Sequence, residues 1–283
     1  MSKIQLVADS TCDLSPALIE KYHVAIIPLC IVMDDKSYYD GEQITPVEIY
    51  EWSNTNRRTP KTAAVSYERA LQTLKPFMEN GDEILFFGIS EQMSTTCNIL
   101  RLIKGDLDYD KLYIIDSMNL STGIGLQILY AAELIAEGKD IQEIIERVEQ
   151  RRGKVRASFV VENLTYLARG GRCSTATALL ANTIRLKPQI VVEKGAMRVA
   201  KKFRGKQSSV ILKYAKELEA DLLQADPTCV FVTHSGCDAS LLQEVSAYLE
   251  SLNYFADIHV TNAGGVISSH CGPETLGILF YAM

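Results

Sequence analysis

The chain has 283 residues, of which 35 are Asp or Glu and 29 are Lys or Arg, so its formal net charge is −6. This acidic balance argues against a general nucleic-acid-binding protein. Hydrophobic residues make up 47% of the chain and charged residues 23%, which excludes a disordered or fibrous protein.

Short apolar runs alternate with helical segments along the first part of the chain. The runs cover residues 4–8, 24–32, 83–89 and 112–115 and are rich in β-branched residues. They predict strands of a parallel sheet that is covered on both faces. Between them, Thr45, Pro46 and Glu48 combine an N-cap hydroxyl, a first-turn proline and a third-position acid. This pattern predicts a helix that runs to about residue 54.

Two further helices lead to the predicted domain boundary. Residues 121–137 are apolar almost all round, which predicts a buried helix, and Asp140 predicts the N-cap of the next one. The basic, glycine-containing cluster at 151–154 then favours a boundary. We expect an N-terminal α/β lobe over residues 1–155 and a C-terminal α/β lobe over 156–283, with a ligand between them.

The second part of the chain combines an antiparallel hairpin with a further β-α-β alternation. This combination predicts a mixed sheet. The predicted elements are a strand at 155–161, a hairpin of 190–192 and 197–199, a helix at 206–223, a strand at 229–233, a helix at 239–252, a strand at 256–260 and an apolar stretch that ends near residue 281.

The sequence predicts a cytosolic protein without disulfides or a metal site. The longest apolar run, residues 24–33, contains Pro28 and is shorter than the roughly 20 residues that span a bilayer. The N-terminus reaches Asp9 before an export signal can develop. The seven cysteines are odd in number and form no CxxC pair, which favours buried reduced thiols.

Hydroxyl side chains are concentrated where the predicted strands end, at residues 9–11, 62–66, 90–96 and 116–122. Ligands of open α/β sheets bind beyond the carboxyl ends of the strands. Each hydroxyl alone is readily explained as a helix cap. Ser94, Thr95 and Thr96 exceed what one cap requires, so we expect an anion site there.

His270 and a basic segment are further candidates. His270 stands among glycines near a proline, and we expect a loop in which it acts as a hydrogen-bond donor or proton carrier. We expect His23, His234 and His259 to be structural. Residues 167–204 are strongly basic, which indicates either an anionic partner or a solvated charged face. The basic residues considered are Arg169, Arg172, Arg185, Lys187, Lys201, Lys202 and Arg204.

Common enzyme motifs are absent from the sequence. It contains no P-loop, no dinucleotide fingerprint, no zinc-protease motif and no nucleophile elbow. A Ser-His-Asp arrangement stays open, because its members meet in space and not in sequence. The residues themselves therefore indicate a two-lobed α/β protein with an anion site between its lobes.

Eight motifs in a fixed order add a family resemblance. They are DSTCDLS (9–15), PKT (60–62), IS (89–90) with MS (93–94) and Thr96, DS (116–117), LARGGRCS (167–174), LKP (186–188), FRGK (203–206) and HCGP (270–273). In this order they resemble the DegV family of bacterial fatty-acid-binding proteins, from end to end of the chain. The resemblance implies a two-lobed α/β fold that encloses one long-chain fatty acid and needs no cofactor.

The resemblance also implies a biochemical role. A partner fatty acid kinase phosphorylates the carboxylate while the binding protein holds it, and the acyl phosphate enters phospholipid synthesis; contact with membranes is at most transient. By the same resemblance, Thr62 and Ser94 hold the carboxylate and His270 is a further donor. Arg172 and Arg204 match basic positions associated with the head group or with kinase docking.

Three positions depart from the usual family pattern. Ala63 replaces a common serine, Thr95 a common glycine and Glu274 another glycine. We expect Thr95 to crowd the head-group site and Glu274 to bring a negative charge near it. Two alternatives remain at this point: a stand-alone hydrolase that uses a loop serine with His270, and a lipid-sensing regulator.

Overall fold

The computed structural model describes residues 3–179 and 186–283. The N-terminal region alternates short strands with helices. Its strands are β1 (Ile4–Asp9), β2 (Ala25–Ile27), β3 (Cys30–Met33), β4 (Lys36–Tyr39), β5 (Lys61–Ala63), β6 (Glu83–Gly88) and β7 (Leu112–Asp116). Its helices are α1 (Pro16–Lys21), α2 (Pro46–Asn56), α3 (Tyr67–Glu79), α4 (Thr96–Asp106), α5 (Thr122–Ala136) and α6 (Ile141–Arg152), and a 3₁₀ turn covers Ser10–Cys12.

The C-terminal region has the same kinds of element in a different arrangement. Its strands are β8 (Val155–Val160), β9 (Leu186–Glu193), β10 (Ala196–Arg204), β11 (Cys229–Ser235), β12 (Asp257–Asn262) and β13 (Thr275–Tyr281). Its helices are α7 (Thr165–Gly170), α8 (Ser174–Leu179), α9 (Gln207–Glu217), α10 (Glu219–Leu222), α11 (Ala239–Ser251) and α12 (Gly265–Cys271).

Two sheets organise the N-terminal region. The larger one has the strand order β2-β1-β6-β7 with every pair parallel, which confirms the predicted parallel sheet. The smaller one is antiparallel, with the order β4-β3-β5. The single strand predicted over 24–32 is wrong: Pro28 and Leu29 separate β2 from β3, which lie in different sheets. Pro28 has no N–H for a sheet ladder, so the run is interrupted there.

The C-terminal region is built on one mixed sheet, as predicted. Its strand order is β10-β9-β8-β13-β11-β12, in which only β11 and β12 pair in parallel. The predicted hairpin is the longer pair β9 and β10. The predicted helix over 206–223 is two helices, α9 and α10, which meet at Leu218.

Helix α5 joins the two larger sheets. It is buried along most of its length and contacts β1 and β6 on one side and β8 and β13 on the other. One apolar core therefore extends from the parallel sheet across α5 into the mixed sheet. Its members include Leu6, Phe87, Ile124, Phe159 and Phe231. The all-round apolar pattern of residues 121–137 is explained by this position between two sheets.

The ends of the helices follow the capping signals in the sequence. Glu48 N donates to Thr45 Oγ1 at 3.4 Å and Thr45 N donates to Glu48 Oε2 at 2.8 Å, which is the predicted capping box of α2. Asp140 caps α6 by accepting from the N–H groups of residues 142 and 143. Across the described residues, no helix is both long and apolar enough to cross a bilayer.

Candidate functional site

A mostly apolar cavity lies where the loops of the N-terminal region face the mixed sheet. Its apolar walls come from both regions and include Leu29, Ile89, Met93, Leu120, Phe159, Met197 and Leu279. Four of the five predicted site residues line it as well: Thr62, Ser94, Arg172 and His270. An apolar cavity with a few converging polar groups is the usual form of a small-molecule site.

Thr62 and His270 are in direct contact, although 208 positions separate them in the sequence. The distance from Thr62 Oγ1 to His270 Nε2 is 2.8 Å. Thr62 is held by β5, where it pairs with Ile31 of β3. His270 lies in the last turn of α12 and not in a loop, so that expectation is wrong. Gly272, with φ +75°, ends the helix directly after this turn.

The environment of His270 keeps its ring neutral. Burial, reinforced by the nearby Arg172 guanidinium, lowers the pKa of His270 to about 4. Nδ1 has no hydrogen-bond partner in the described part of the chain. Gly170 packs against this nitrogen so closely that a Cβ there would lie 2.2 Å from it. Nε2 is therefore the ring nitrogen that takes part in hydrogen bonding.

The surroundings of His270 do not form a hydrolytic triad. A triad requires a carboxylate or similar group on the second ring nitrogen, and within residues 3–179 and 186–283 Nδ1 has none. Ser94 Oγ lies 2.9 Å from Thr96 Oγ1 and accepts from Thr96 N at 3.3 Å. Ser94 is thus hydrogen-bonded within its own loop, and the hydrolase alternative has no geometric support here.

Ser94 precedes α4, and the two threonines that follow it differ in their exposure. Thr96 is fully buried, whereas Thr95 is exposed and does not line the cavity. The expected crowding by Thr95 is therefore not observed. Ala63 lines the cavity beside Thr62. Glu274 is exposed with φ +56°, and it lines a separate polar cleft, so its charge is not at the cavity wall.

Arg172 lies at the rim of the cavity, but Arg204 does not line it. Arg172 donates to two backbone carbonyls, those of Met93 (3.4 Å) and Gly170 (2.9 Å). Arg204 is exposed at the end of β10, opposite Leu186 of β9. In the described ranges neither arginine forms an ion pair with a carboxylate.

The rest of the basic segment is partly neutralised. Lys187 pairs with Glu162, and Lys201 pairs with Glu217. Arg169 and Lys202 are exposed. Arg185 lies outside the described residues. Of the basic residues considered above, Arg169, Arg172, Lys202 and Arg204 therefore form no ion pair within the described ranges, and neither does the exposed Lys194 of the same segment.

Sequence reasoning missed the buried acids behind the site. Asp9, Asp13 and Asp40 are nearly inaccessible, and burial raises the pKa of Asp13 to about 8 and that of Asp9 to about 6. The signal was present, because Asp9 and Asp13 both lie in the first motif. In the described residues, no group of His, Cys, Asp and Glu side chains is arranged to hold a metal ion.

Comparison with known proteins gives consistent matches over the whole chain. The DegV family model, described as "Uncharacterised protein, DegV family", matches residues 3–283. A DegV domain-containing protein of Clostridium perfringens is 34% identical over 210 residues, which cover 74% of this chain and 75% of that protein.

Two solved structures are similar in fold and sequence. A DegV family protein from Thermus thermophilus, described for its fatty acid binding, has a TM-score of 0.90 and 28% identity, covering 99% of this chain and 100% of that one. A stearic-acid-binding protein from Eubacterium ventriosum has a TM-score of 0.86 and 27% identity, covering 100% of this chain and 98% of that one.

Proposed function

The chain belongs to the DegV family, and we propose that it binds one long-chain fatty acid in the cavity, with the carboxylate at Thr62, Ser94 and His270. The observation that carries this proposal is the contact of Thr62 with a neutral, half-buried histidine in the wall of an apolar cavity. The fatty acid binding described for the proteins from T. thermophilus and E. ventriosum supports the same ligand class.

The direction of the hydrogen bond between Thr62 and His270 depends on which nitrogen of the neutral ring carries the proton. If Nε2 carries the proton, it donates to Thr62 Oγ1, and the Thr62 hydroxyl is free to donate to a carboxylate. The Ser94 hydroxyl is a second donor that can turn from Thr96 toward the ligand. Arg172 adds a positive charge at the rim, so that a carboxylate entering the cavity is not left without a counter-charge.

The tail and the head group then have separate tasks. Burying one methylene stabilises a complex by roughly 0.8 kcal/mol, so about 14 methylenes contribute at most about 11 kcal/mol. A hydrogen bond to a charged group contributes only about 1.5–3 kcal/mol. The tail therefore dominates the affinity, while Thr62, Ser94 and His270 set the position of the carboxylate.

We further propose that a cytosolic partner kinase phosphorylates the bound carboxylate for phospholipid synthesis and docks on the exposed arginines. Arg204 lies outside the cavity and forms no ion pair with a carboxylate in the described ranges, so its charge is available to recognise an acidic protein surface. Arg172 lines the cavity and is also exposed, so its position suits either role. The division into lobes 1–155 and 156–283 fits this proposal, because each sheet uses strands from one side of that boundary apart from Val155, the first residue of β8.

Native mass spectrometry of the purified protein, followed by organic extraction, tests the ligand. We expect one fatty acid per chain, and extraction identifies its tail. A protein that is empty and also refuses added fatty acids contradicts the proposal. A lipid-sensing regulator would share the pocket, so affinity capture with the loaded protein is needed to distinguish it: recovery of a kinase supports the carrier role.

A further inference from the structure

Helix α12, which carries His270, begins between two buried carboxylates from distant parts of the chain. Asp13 Oδ1 accepts a hydrogen bond from Gly264 N at 2.8 Å, and Asp40 Oδ1 accepts one from Gly265 N at 2.7 Å. Asp13 and Asp40 are 5% and 3% exposed. N–H groups at the start of a helix have no partner within the helix, so these two acids supply the missing acceptors.

The approach of α12 to the acids leaves no room for a side chain at Gly265 and little room at Gly264. A Cβ at Gly265 would lie 2.8 Å from Asp40 Oδ1 and 2.7 Å from Ile31 Cδ1. A Cβ at Gly264 would lie 3.2 Å from Asp13 Oδ1. Glycine at both positions lets the backbone reach the carboxylates, which explains why this helix starts with two residues of low helix propensity.

Asp40 is also attached to the sheet that carries Thr62. It follows β4, which pairs with β3, and β3 pairs with β5. Its backbone N–H donates to Leu29 O at 2.9 Å, and its Oδ2 accepts from Ser10 Oγ at 2.8 Å. One carboxylate thus links the sheet of Thr62 with the helix of His270.

Asp13 and Asp40 lie in surroundings that oppose the ionisation of their carboxyl groups. Burial is the main cause that raises the pKa of Asp40 and of Asp13, and the nearby carboxylates of Asp40 and Asp9 raise the pKa of Asp13 further. The other titratable groups beside Asp13 are the thiols of Cys12 and Cys271, which burial keeps protonated. Asp13 and Asp40 therefore contribute to the structure through their hydrogen bonds to α12, and not through a favourable buried charge.

We infer that Asp40, together with Asp13, is a positioning residue of the carboxylate site: it fixes the start of α12 so that His270 Nε2 stays within hydrogen-bond distance of Thr62 Oγ1. The effect of this positioning on ligand binding rests on the function proposed above. A side chain that only stabilised the fold would change the free energy of unfolding but leave the surroundings of His270 as they are.

The pKa of His270, followed by NMR in protein with labelled histidine, separates these two roles. The wild-type value is expected near 4. In Asp40→Ala, α12 loses an anchor and His270 becomes more accessible, so we expect its pKa to rise by about 1 unit or more toward the ordinary value. Asp40→Asn keeps an acceptor oxygen for Gly265 N, and its His270 pKa is expected to stay within about 0.5 units of wild type.

Affinity for palmitate, measured by calorimetry, is the second readout. We expect Asp40→Ala to weaken binding about tenfold or more and Asp40→Asn to stay within about threefold of wild type. The matched control is Asp140→Ala, which removes an acid that caps α6 and does not line the cavity. It is expected to lower the free energy of unfolding while leaving both the His270 pKa and the affinity unchanged.

A folded Asp40→Ala protein with an unchanged His270 pKa would overturn the positioning role. If Asp40→Ala does not fold, Ser10→Ala removes the hydroxyl that holds Asp40 Oδ2 from a half-buried position. A smaller rise in the pKa of His270 is then expected, and the absence of that rise overturns the positioning role. If no protein binds palmitate, including wild type, the proposed function fails for that ligand, while the His270 titration still decides the question of positioning.

Discussion

Gly170, at the end of α7, packs against the imidazole ring of His270 so closely that a Cβ on this glycine would lie 2.2 Å from Nδ1 and 2.9 Å from Cε1. The glycine therefore sets one face of the space in which the ring stands, and Thr62 sets another. Any side chain at residue 170 must displace either the ring or the helix that carries it.

Gly170→Ala is therefore expected to break the contact between His270 and Thr62 without adding charge or polarity. We expect fatty acid affinity to fall about tenfold, which corresponds to the loss of about one hydrogen bond. Titration calorimetry with palmitate measures this. Gly105→Ala is the matched control, because it lies in α4 and its Cβ would have nothing within 4 Å. Unchanged affinity in Gly170→Ala would show that the ring position does not matter for binding.

The lowered pKa of His270 predicts a stability difference that depends on pH. Between the folded value of about 4 and the ordinary value of 6.5, the unfolded chain binds a proton at this ring and the folded chain does not. The contribution of His270 to the free energy of unfolding is thus fully present above about pH 6.5 and falls as the pH drops toward 4, by about 3 kcal/mol.

Comparison of wild type with His270→Gln isolates this contribution, because the buried acids titrate in both proteins. Burial raises the pKa values of Asp9 and Asp13, so these acids make the free energy of unfolding rise as the pH falls, opposite to the effect of His270. Taking the difference between the two proteins removes this contribution. Urea unfolding of both proteins at several pH values between 4 and 7 measures the difference. A difference that does not vary with pH would mean that the ring has the same pKa in the folded and the unfolded protein.

The architecture could be predicted from local pattern, because strands and helices differ in the period of their apolar residues. The parallel sheet, the mixed sheet and the buried helix α5 all follow from that pattern. The fragment 24–32 was predicted less well, since a run of apolar residues does not show that Pro28 and Leu29 lead the chain from one sheet into another.

The site was only partly predictable, because long-range contacts decide it. His270 was expected in a loop on account of its neighbouring glycines, yet Gly264 and Gly265 begin a helix. They do so because Asp13 and Asp40, 251 and 225 positions away, supply acceptors to their N–H groups. The local sequence contains the glycines but not the acids, so helix and loop could not be distinguished there.

Arg204 provides a test of kinase docking that is separate from ligand binding. Because this exposed residue does not line the cavity, Arg204→Glu is expected to leave the bound fatty acid in place and to slow kinase-dependent phosphorylation about tenfold or more. Native mass spectrometry measures the first quantity and a phosphate-transfer assay with the partner kinase the second.

The control for Arg204→Glu is the same charge reversal at Lys75, whose side chain is 66% exposed on α3. Lys75→Glu is expected to act as wild type in both measurements. Normal turnover of Arg204→Glu at low ionic strength, where charge effects are largest, would remove Arg204 from the docking surface.

The separation of tail and head group predicts an unequal effect of removing both hydroxyls. In Ser94→Ala combined with Thr62→Val, the apolar walls that would hold the tail are intact, but the two hydroxyls proposed as carboxylate donors are lost. We expect lipid retention to fall modestly, because tail burial dominates the affinity. Phosphorylation by the kinase is expected to fall far more, because the carboxylate is no longer held in one orientation, and misplacement of a reacting group by about 1 Å can cost a hundredfold in rate.

The two quantities are compared on the same preparation, by extraction of the bound lipid and by transfer of labelled phosphate. An equal loss of both would show that the hydroxyls hold the ligand as a whole and that head and tail do not have separate tasks.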